Sequence, residues 1–419
     1  MLRSFIDVDP DSHFPIQNLP YGAFITDQGE IHLCTAIGDL VVDLFVLDEE
    51  GLFGGPELSG QMAFQDSSLN YFMSMSKDAW TEARSTLQTL LSADGPTLRD
   101  DEVLKNKIFH KQSDVQLVFP VEVGDYTDFY SSQQHARNVG AMFRDPENAL
   151  LPNWKHLPVA YHGRASSIVI SGTDLHRPKG QILPENSETP IFSESKRLDF
   201  ELEVGFLSGP ENKLGQPVPI DKANDHIFGL VLMNDWSARD IQKWEYQPLG
   251  PFLAKNWGTS VSPWVVTLEA LQPFRAESPS QHPEPLPYLN SDGRSAFDIQ
   301  LEVYLKTEKL DQPHKICTSN YRNLYWSIEQ QLAHHTVNGC NVRTGDLFGS
   351  GTISGSEKDS YGSMLELAWM GTDPVKLPNG EERNYLEDGD EVIMTGFGQG
   401  NGYRVGFGEV RGKILPAFK

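Results

Sequence analysis

Apolar positions recur at helical spacing in only a few stretches of the chain. In the clearest stretch, residues 77–93, one apolar stripe follows Ser76 and runs up to Gly95-Pro96; it consists of Trp80, Ala83, Leu87, Leu90 and Leu91. Serine is a favoured helix N-cap and Gly-Pro stops a helix, so the pattern predicts a helix here. A second, polar helix is predicted near residues 101–109, and a third over 327–337, ending at Asn338-Gly339.

Short β-like runs dominate the rest of the chain. The segments 31–39 and 40–44 predict a hairpin that turns at Gly38-Asp39. From about residue 119, apolar runs recur between Gly, Pro and Asn turns, at 167–171, 198–207, 227–233, 263–268, 297–306, 364–369 and 391–396. This spacing is typical of a β-sandwich or barrel. We therefore predict a mainly β, α+β protein with domains at 1–118 and 119–419 and a Pro-rich surface loop at 270–296.

The run 198–204 alternates apolar and acidic residues with the period of a strand. Glu201 and Glu203 therefore share one face, and Phe200, Leu202 and Val204 share the other, which is predicted to face a core. Two enclosed neighbouring carboxylates repel each other unless a cation or protons neutralise them. The alternative is an exposed Glu-x-Glu pair on an edge strand.

Composition limits the class of partner. The chain has 419 residues and a formal net charge of −24, which argues against nucleic acid and anionic membranes as partners. Three cysteines without a CxxC pair fit free thiols in a reducing compartment. The chain shows no apolar segment of signal-peptide or membrane-span length, so we expect a cytoplasmic protein.

Other polar residues are candidates for the same site. Asp235 follows the apolar run 227–233, and Ser237 with Asp240 resembles a capping box that opens a short helix. In that helix Arg239, Gln242 and Tyr246 lie on one face. Asp235 has a simpler interpretation as a residue that starts a helix, and Arg239 as one half of a surface ion pair.

A second group lies around Asp128. In an extended chain Tyr126, Asp128 and Tyr130 share a face, and Ser131 or Ser132 then caps a helix that carries His135. Glu366 falls within the apolar run 364–369, predicted to be a strand, where an unpaired acid is costly. His135 is one possible partner. The alternatives are that Asp128 is only a turn residue and that His135 is a solvated or core histidine. These residues alone do not identify a function.

Several segments together resemble the fumarylacetoacetate hydrolase superfamily of metal-dependent enzymes that act on oxo acids. They are GDYTDFYSS (124–132), NWKHLPVAYHGRASS (153–167), DFELE (199–203), NDWSARDIQKWEY (234–246), PLGPFLAKNWGT (248–259), GTISG (351–355) and GSMLEL (362–367). The first two, with the long N-terminal region, are similar to the branch that hydrolyses fumarylacetoacetate. The resemblance covers the whole chain.

The resemblance implies a fold and a metal site. The N-terminal part would be a small, partly open β-barrel with helices, and the C-terminal part a large mixed β-sandwich roll through which homodimers form. The implied ligands of Ca²⁺ or Mg²⁺ are Asp128, Glu201, Glu203 and Asp235. A ligand set made only of carboxylate oxygens suits such hard cations. Asp235 and the backbone carbonyls of Lys255 and Thr259 would hold a second Mg²⁺.

The resemblance also implies a reaction, the hydrolysis of a carbon–carbon bond in the dianionic diketo acid fumarylacetoacetate to fumarate and acetoacetate, the last step of tyrosine and phenylalanine catabolism. His135 would activate water, oriented by Glu366. The implied donors to the developing alkoxide are Arg239, Gln242 and Lys255. The implied substrate-binding residues are Tyr130, Arg144, Tyr161, Gln242, Tyr246 and Thr352, with Arg144 and Lys255 as local cations.

Two alternatives stay open on the sequence. Other members of the superfamily decarboxylate or isomerise oxo acids. A non-enzymatic Ca²⁺-binding β-sandwich module would also explain clustered carboxylates, although it gives no joint role to His135, Glu366, Arg239 and Lys255.

Overall fold

The first part of the chain folds into one antiparallel sheet flanked by helices. The computed structural model describes residues 2–291 and 293–419, so position 292 of the predicted Pro-rich loop lies outside the described residues. The strands here are β1 (Tyr21–Ile25), β2 (Ile31–Ile37), β3 (Leu40–Asp43), β4 (Phe109–Lys111) and β5 (Gln116–Val118), in the order β4-β3-β2-β1-β5. The helices are α1 (Leu44–Glu49), α2 (Asn70–Met73), α3 (Lys77–Leu91), α4 (Pro96–Arg99) and α5 (Glu102–Ile108).

The predicted hairpin and helices are confirmed. Strands β2 and β3 pair from Cys34–Asp43 to Ile37–Leu40, and Gly38 has a φ of +58°, which glycine adopts without steric cost. The Ser76 hydroxyl accepts a hydrogen bond from the backbone N–H of Ala79 at the start of α3. The predicted stripe of α3 is buried, in a core that it shares with Leu33 and Val42 of the sheet.

The second part of the chain contains two larger sheets. Its strands are β6 (Tyr126–Phe129), β7 (Ala160–His162), β8 (Ile168–Ile170), β9 (Leu175–His176), β10 (Lys179–Ile182), β11 (Ile191–Glu194), β12 (Leu198–Asp199), β13 (Leu202–Ser208), β14 (Ile227–Asp235), β15 (Ser237–Ala238), β16 (Thr259–Val261), β17 (Val266–Thr267), β18 (Arg275–Ala276), β19 (Ala296–Phe297), β20 (Gln300–Lys306), β21 (His314–Asn320), β22 (Leu347–Gly349), β23 (Val375–Lys376), β24 (Glu382–Arg383), β25 (Glu391–Gln399) and β26 (Arg404–Leu415). Its helices are α6 (Gln133–Phe143), α7 (Arg239–Glu245), α8 (Leu268–Leu271), α9 (Ile328–Thr336) and α10 (Met364–Leu367).

An eight-stranded mixed sheet follows the order β7-β6-β22-β13-β14-β16-β8, with β17 also paired to β14, and a five-stranded sheet follows β21-β20-β25-β26-β9. Leu230 and Leu232 of β14 share one hydrophobic core with Val303 and Phe407 of the second sheet. Successive residues of a strand point to opposite faces, so Val231 instead packs toward the N-terminal helices, in a core with Phe72 and Trp80. The predicted mainly β, α+β fold is therefore confirmed. The division of the chain at residue 118 stays a prediction.

Two predictions of local structure were wrong. The run 364–369 is not a strand: Ser363 caps helix α10, because its hydroxyl accepts from the backbone N–H of Glu366. The expected capping box at Ser237 and Asp240 is absent, since α7 starts after Ala238 without a side-chain cap and Asp240 instead accepts from the Ser195 hydroxyl at 2.6 Å.

The strand predicted over 198–207 is divided into β12 and β13, because β12 pairs with β15 while β13 pairs with β14. The predicted surface loop 270–296 is also more ordered than expected, with Phe274 and Leu289 buried. Among the described residues, no helix has both the length and the apolar character needed to cross a lipid bilayer.

Candidate metal centre and catalytic site

Adjacent strands of the eight-stranded sheet place the acidic side chains next to one another. Asp128 lies on β6, Glu203 on β13 and Asp235 at the end of β14. Between β6 and β13 runs β22, where Gly349 pairs with Asp128. A Cβ atom on Gly349 would lie 2.8 Å from Oδ1 of Asp128 and 3.0 Å from Oε2 of Glu203. The missing side chain at this position therefore lets the two carboxylates approach each other.

The structure brings together the four carboxylates that the resemblance implied as metal ligands. Asp128, Glu201, Glu203 and Asp235 are all buried, and one ligand oxygen of each lies within 4.8 Å of the others. Oδ1 of Asp128 and Oε1 of Glu203 are buried without a hydrogen-bond partner among the described residues. Burial and then the charge of Asp235 raise the pKa of Asp128 well above its ordinary value, and burial and then the charge of Asp128 do the same for Glu203. Oxygen ligands with unmet negative charge fit a hard divalent cation.

A buried lysine neutralises part of this charge. The Lys255 ammonium donates to Oε2 of Glu201 and, at 2.7 Å, to Oδ2 of Asp235. Burial opposes the charge of Lys255, but Asp235 and Glu201 raise its pKa above the ordinary value, so it stays an ammonium. The side chain of Lys255 is thus a charge partner of the acids. Thr259 donates its hydroxyl to Oδ1 of Asp235 at 2.8 Å.

Lys255 is held near the cluster by the segment that precedes it. The carboxylate of Glu245, at the end of α7, accepts the backbone N–H groups of Phe252, Leu253 and Ala254 at 2.8, 3.1 and 2.8 Å. This fixes the base of the loop that connects α7 to Lys255. The loop therefore holds Lys255, and with it Arg239 at the start of α7, close to the carboxylates.

His135 and Glu366 form the second half of the site. The Ser132 hydroxyl caps helix α6 by accepting from the backbone N–H of His135, as predicted. Nδ1 of His135 lies 2.7 Å from Oε2 of Glu366, and both side chains are buried. Burial opposes ionisation of Glu366, but His135 and hydrogen bonds from Asn138 and Ser363 hold its pKa below the ordinary value. A carboxylate in this position keeps the proton of the neutral imidazole on Nδ1 and leaves Nε2 able to accept one.

The two halves of the site are close enough to interact. Burial raises the pKa of Glu201, but the charges of Lys255, Arg239 and His135 together hold it below the ordinary value. The ring of Tyr130 packs edge-on against that of His135, with centroids 5.2 Å apart.

Most of the implied substrate-binding residues lie at the same place. Tyr161 donates to Oδ2 of Asp235 at 3.2 Å, and Gln242 accepts from Arg239 at 3.0 Å, which leaves its amide N–H groups available. The hydroxyl of Thr352 is buried without a partner among the described residues. Arg144 and Tyr246 are instead exposed: Arg144 donates to the carbonyl of Ala149 at 2.6 Å, and Tyr246 is 46% exposed.

Asp199 connects the two halves of the site, and no role was predicted for it from the sequence. Its Oδ2 accepts from Nε of Arg239 at 2.8 Å, and its two oxygens accept the backbone N–H groups of Met364 at 2.6 Å and Leu365 at 3.1 Å. Asp199 thus fixes a buried guanidinium and also the start of the helix that carries Glu366. Asn138 and Ser354, which bond Glu366 at 2.8 and 2.9 Å, also went unassigned. These contacts join segments that are far apart in the chain. The only local indication of them in the sequence was the acidic Asp199 at the start of DFELE.

Replacing Asp199 by alanine is expected to lower the free energy of unfolding by about 3–5 kcal/mol, because it removes one of the two carboxylates paired with Arg239 and leaves two buried backbone N–H groups, of Met364 and Leu365, without their acceptor. Urea unfolding of the full chain measures the effect. The control is Asp388→Ala, which removes the partly exposed partner of Arg177 and is expected to cost about 0–1 kcal/mol. Equal midpoints for the two variants would contradict the role assigned to Asp199.

Comparisons with known proteins agree over the whole chain. The family model described as "Fumarylacetoacetase N-terminal" matches residues 17–120, and the model described as "Fumarylacetoacetate (FAA) hydrolase C-terminal" matches residues 125–414. Among curated relatives, "Fumarylacetoacetase" of Rattus norvegicus is 58% identical and covers 99% of both chains. "Fumarylacetoacetase" of Dictyostelium discoideum is 57% identical and covers 100% of this chain and 99% of its own length.

A solved structure supports the fold. The "Fumarylacetoacetate hydrolase" of Exiguobacterium antarcticum matches with a TM-score of 0.51 at 15% sequence identity, covering 95% of this chain and 99% of that chain. At this identity the match concerns the fold alone. With both family models matched and full-length relatives above half identity, the chain belongs to the fumarylacetoacetate hydrolase family.

Proposed function

We propose that this chain hydrolyses the carbon–carbon bond of 4-fumarylacetoacetate to give fumarate and acetoacetate, the last step of tyrosine and phenylalanine breakdown. The full-length identity of 58% to a curated fumarylacetoacetase carries the proposal. The site supports it, because a buried histidine–carboxylate pair lies beside a buried cluster of acids and cations. Hydrolysis of a diketone requires both a base for water and stabilisation of negative charge on oxygen.

His135 acts as the general base in this proposal. Its Nε2 takes a proton from water as the water oxygen bonds to the carbonyl carbon of the fumaryl group. Glu366 holds the ring through Nδ1 and stabilises the imidazolium that forms. When the carbon–carbon bond breaks, its electron pair leaves with the acetoacetate part, which then takes up a proton. The imidazolium of His135 is the acid available for that step.

The donors of the site stabilise the negative oxygen that forms when water adds. Arg239 and Lys255 are buried cations, and Gln242 has amide N–H groups that Arg239 does not use. Buried, preorganised donors of this kind contribute strongly to catalysis because they need no reorganisation during the reaction. The substrate carries two carboxylates, for which Arg144, Tyr130, Tyr161, Tyr246 and Thr352 are the proposed contacts.

Asp128, Glu201, Glu203 and Asp235 are the proposed ligands of Ca²⁺ or Mg²⁺. A cation there would supply Lewis acidity toward the two oxygens of the diketone. The unpartnered oxygens of Asp128 and Glu203 support this assignment. Asp235 with the backbone carbonyls of Lys255 and Thr259 is the proposed second site, for Mg²⁺.

We further propose that the protein acts in the cytoplasm as a homodimer. Its three cysteines are free, which suits a reducing compartment. Light scattering after gel filtration tests the dimer.

The function is tested by incubating the purified chain with fumarylacetoacetate. The conjugated diketone absorbance should disappear, and NMR should detect equal amounts of fumarate and acetoacetate. Release of carbon dioxide or an isomer of the substrate would assign another reaction of the superfamily. No turnover in the presence of Ca²⁺ or Mg²⁺ would overturn the proposal.

Removing divalent cations with EDTA is expected to lower kcat by about a hundredfold or more, because a Lewis acid contributes several kcal/mol to such a transition state. Added Ca²⁺ or Mg²⁺ should restore the rate. Titrating the metal-free protein with each ion separately compares the activity that Ca²⁺ and Mg²⁺ restore. An unchanged rate after chelation, verified by elemental analysis, would contradict a metal-dependent mechanism.

A further inference from the structure

A second polar cavity lies outside the proposed catalytic site. It has a volume of about 500 Å³ and lies between helix α3 and residues of β14, β17, α8, β18 and α9. None of the proposed catalytic, substrate-binding or metal-binding residues lines it. Its volume falls within the range of small-molecule sites.

Cations are concentrated at this cavity although the chain as a whole carries a charge of −24. Lys77 and Arg84 of α3 and Arg275 of β18 line it, as does Arg294, whereas its acids are Glu269 and Glu329. Lys77 is exposed and forms no ion pair with the described residues. A local excess of positive charge in an acidic protein favours an anionic ligand.

Arg84 is only weakly neutralised by the protein. Its guanidinium donates to the backbone carbonyls of Gln17 and Asn18, and the nearest oxygen of Glu269 is 3.9 Å from its Nε. Burial lowers the pKa of Arg84, although the charges of Tyr21 and Glu269 act in the opposite direction. A carboxylate from a ligand could approach this cation more closely than Glu269 does.

One of the residues that line the cavity has an unused acceptor. Glu329 is 3% exposed, and its Oε1 accepts from Arg275 at 3.0 Å. Its Oε2 is buried and has no hydrogen-bond partner among the described residues. Buried carboxylate oxygens are costly to leave unsatisfied, so a ligand that donates protons here gains free energy. An ammonium group meets this need, and Arg275 beside it can hold a carboxylate.

We propose that this cavity binds an amino dicarboxylate such as L-glutamate. The ligand's ammonium contacts Glu329, and its α-carboxylate contacts the adjacent Arg275. Its side-chain carboxylate faces Lys77 and Arg84. Four cations and two acids line the cavity, so its charge remains favourable for a ligand with a net charge of −1. A dicarboxylate without the amine leaves Oε2 of Glu329 unsatisfied, and a neutral amino acid leaves Lys77 and Arg84 without an anion.

Isothermal titration calorimetry of the full chain tests the proposal with three ligands of similar size. L-Glutamate should bind at one saturable site, and L-glutamine, which lacks the side-chain charge, and glutarate, which lacks the ammonium, should each bind at least about tenfold more weakly. No saturable heat with L-glutamate overturns the proposal. If L-glutamine binds as tightly as L-glutamate, the side-chain carboxylate makes no charged contact, and if glutarate does, the ammonium makes none. Either result overturns the proposed ligand class.

Variants assign the contacts. Lys77→Ala should weaken L-glutamate binding about tenfold and leave L-glutamine binding unchanged, and Glu329→Gln should remove the preference for L-glutamate over glutarate. Lys376→Ala, another exposed lysine that does not line the cavity, is the control. Because Lys77 is exposed and forms no ion pair with the described residues, its replacement tests the site even if Glu329→Gln does not fold. Wild-type affinity in Lys77→Ala overturns the proposal. Hydrolysis of fumarylacetoacetate, measured separately, tests the catalytic site alone.

Discussion

Replacing His135 by alanine is expected to lower kcat by about 10²–10⁴-fold, the usual contribution of a general base. Among the described residues that bond the Glu366 side chain, only this ring can accept a proton from water, since the other contacts come from an amide and two hydroxyls. The carboxylates, Lys255 and Arg239 stay in place, so KM should change much less than kcat. Steady-state kinetics with fumarylacetoacetate measures both constants.

Two further variants sharpen this test. Glu366→Gln retains hydrogen bonding to the ring but removes the negative charge that stabilises the imidazolium, so its kcat should fall less than that of His135→Ala. His176→Ala is the matched control, because that ring bonds the carbonyl of Pro416 at 2.7 Å, outside the site. Full activity of His135→Ala would show that another group activates water.

Replacing Gly349 by alanine is expected to weaken binding of Ca²⁺ or Mg²⁺ by about 10–100-fold or more, the range found when groups that support metal ligands are changed. The added Cβ would lie 2.8 Å from Oδ1 of Asp128 and 3.0 Å from Oε2 of Glu203, so at least one carboxylate has to move. Calorimetric titration of the metal-free protein with Ca²⁺ or Mg²⁺ gives the affinity for each ion. Activity at a low cation concentration should fall in parallel.

The control for this variant is Gly54→Ala. The nearest atom to a Cβ there is the carbonyl oxygen of Gly51, at 3.6 Å, which is an ordinary contact. Circular dichroism should show that both variants fold. Wild-type cation affinity in Gly349→Ala would mean that the ion is not bound between Asp128 and Glu203.

The proposed chemistry depends on how a strongly acidic protein places its few buried cations. Arg239 bonds both Asp199 and Glu201, and Lys255 bonds Glu201 and Asp235. Each cation is therefore fixed by carboxylates and cannot rotate away into solvent. Their charges remain in place for a dianionic substrate, while negative charge is still in excess at Asp128 and Glu203.

Local patterns predicted helix α3 and the β2–β3 hairpin correctly, because each depends on contacts between residues close in sequence. The stripe from Trp80 to Leu91 and the cap at Ser76 lie within one helix. The apolar run at Met364 misled for the complementary reason. Its residues suit a strand or a buried helix turn equally, and the deciding contacts come from Ser363 and from the distant carboxylate of Asp199.

The sequence by itself determined that Glu201 and Glu203 share a face opposite a buried apolar face, since side-chain alternation is a property of the local backbone. Residue patterns offered Asp128, Asp235, His135 and Glu366 as candidates, and the resemblance added their roles. Only the tertiary structure decided that these groups meet, because the strand order β6-β22-β13-β14 joins segments far apart in the chain. It also decided the space at Gly349 and the link through Asp199, which depend on interatomic distances and not on residue type.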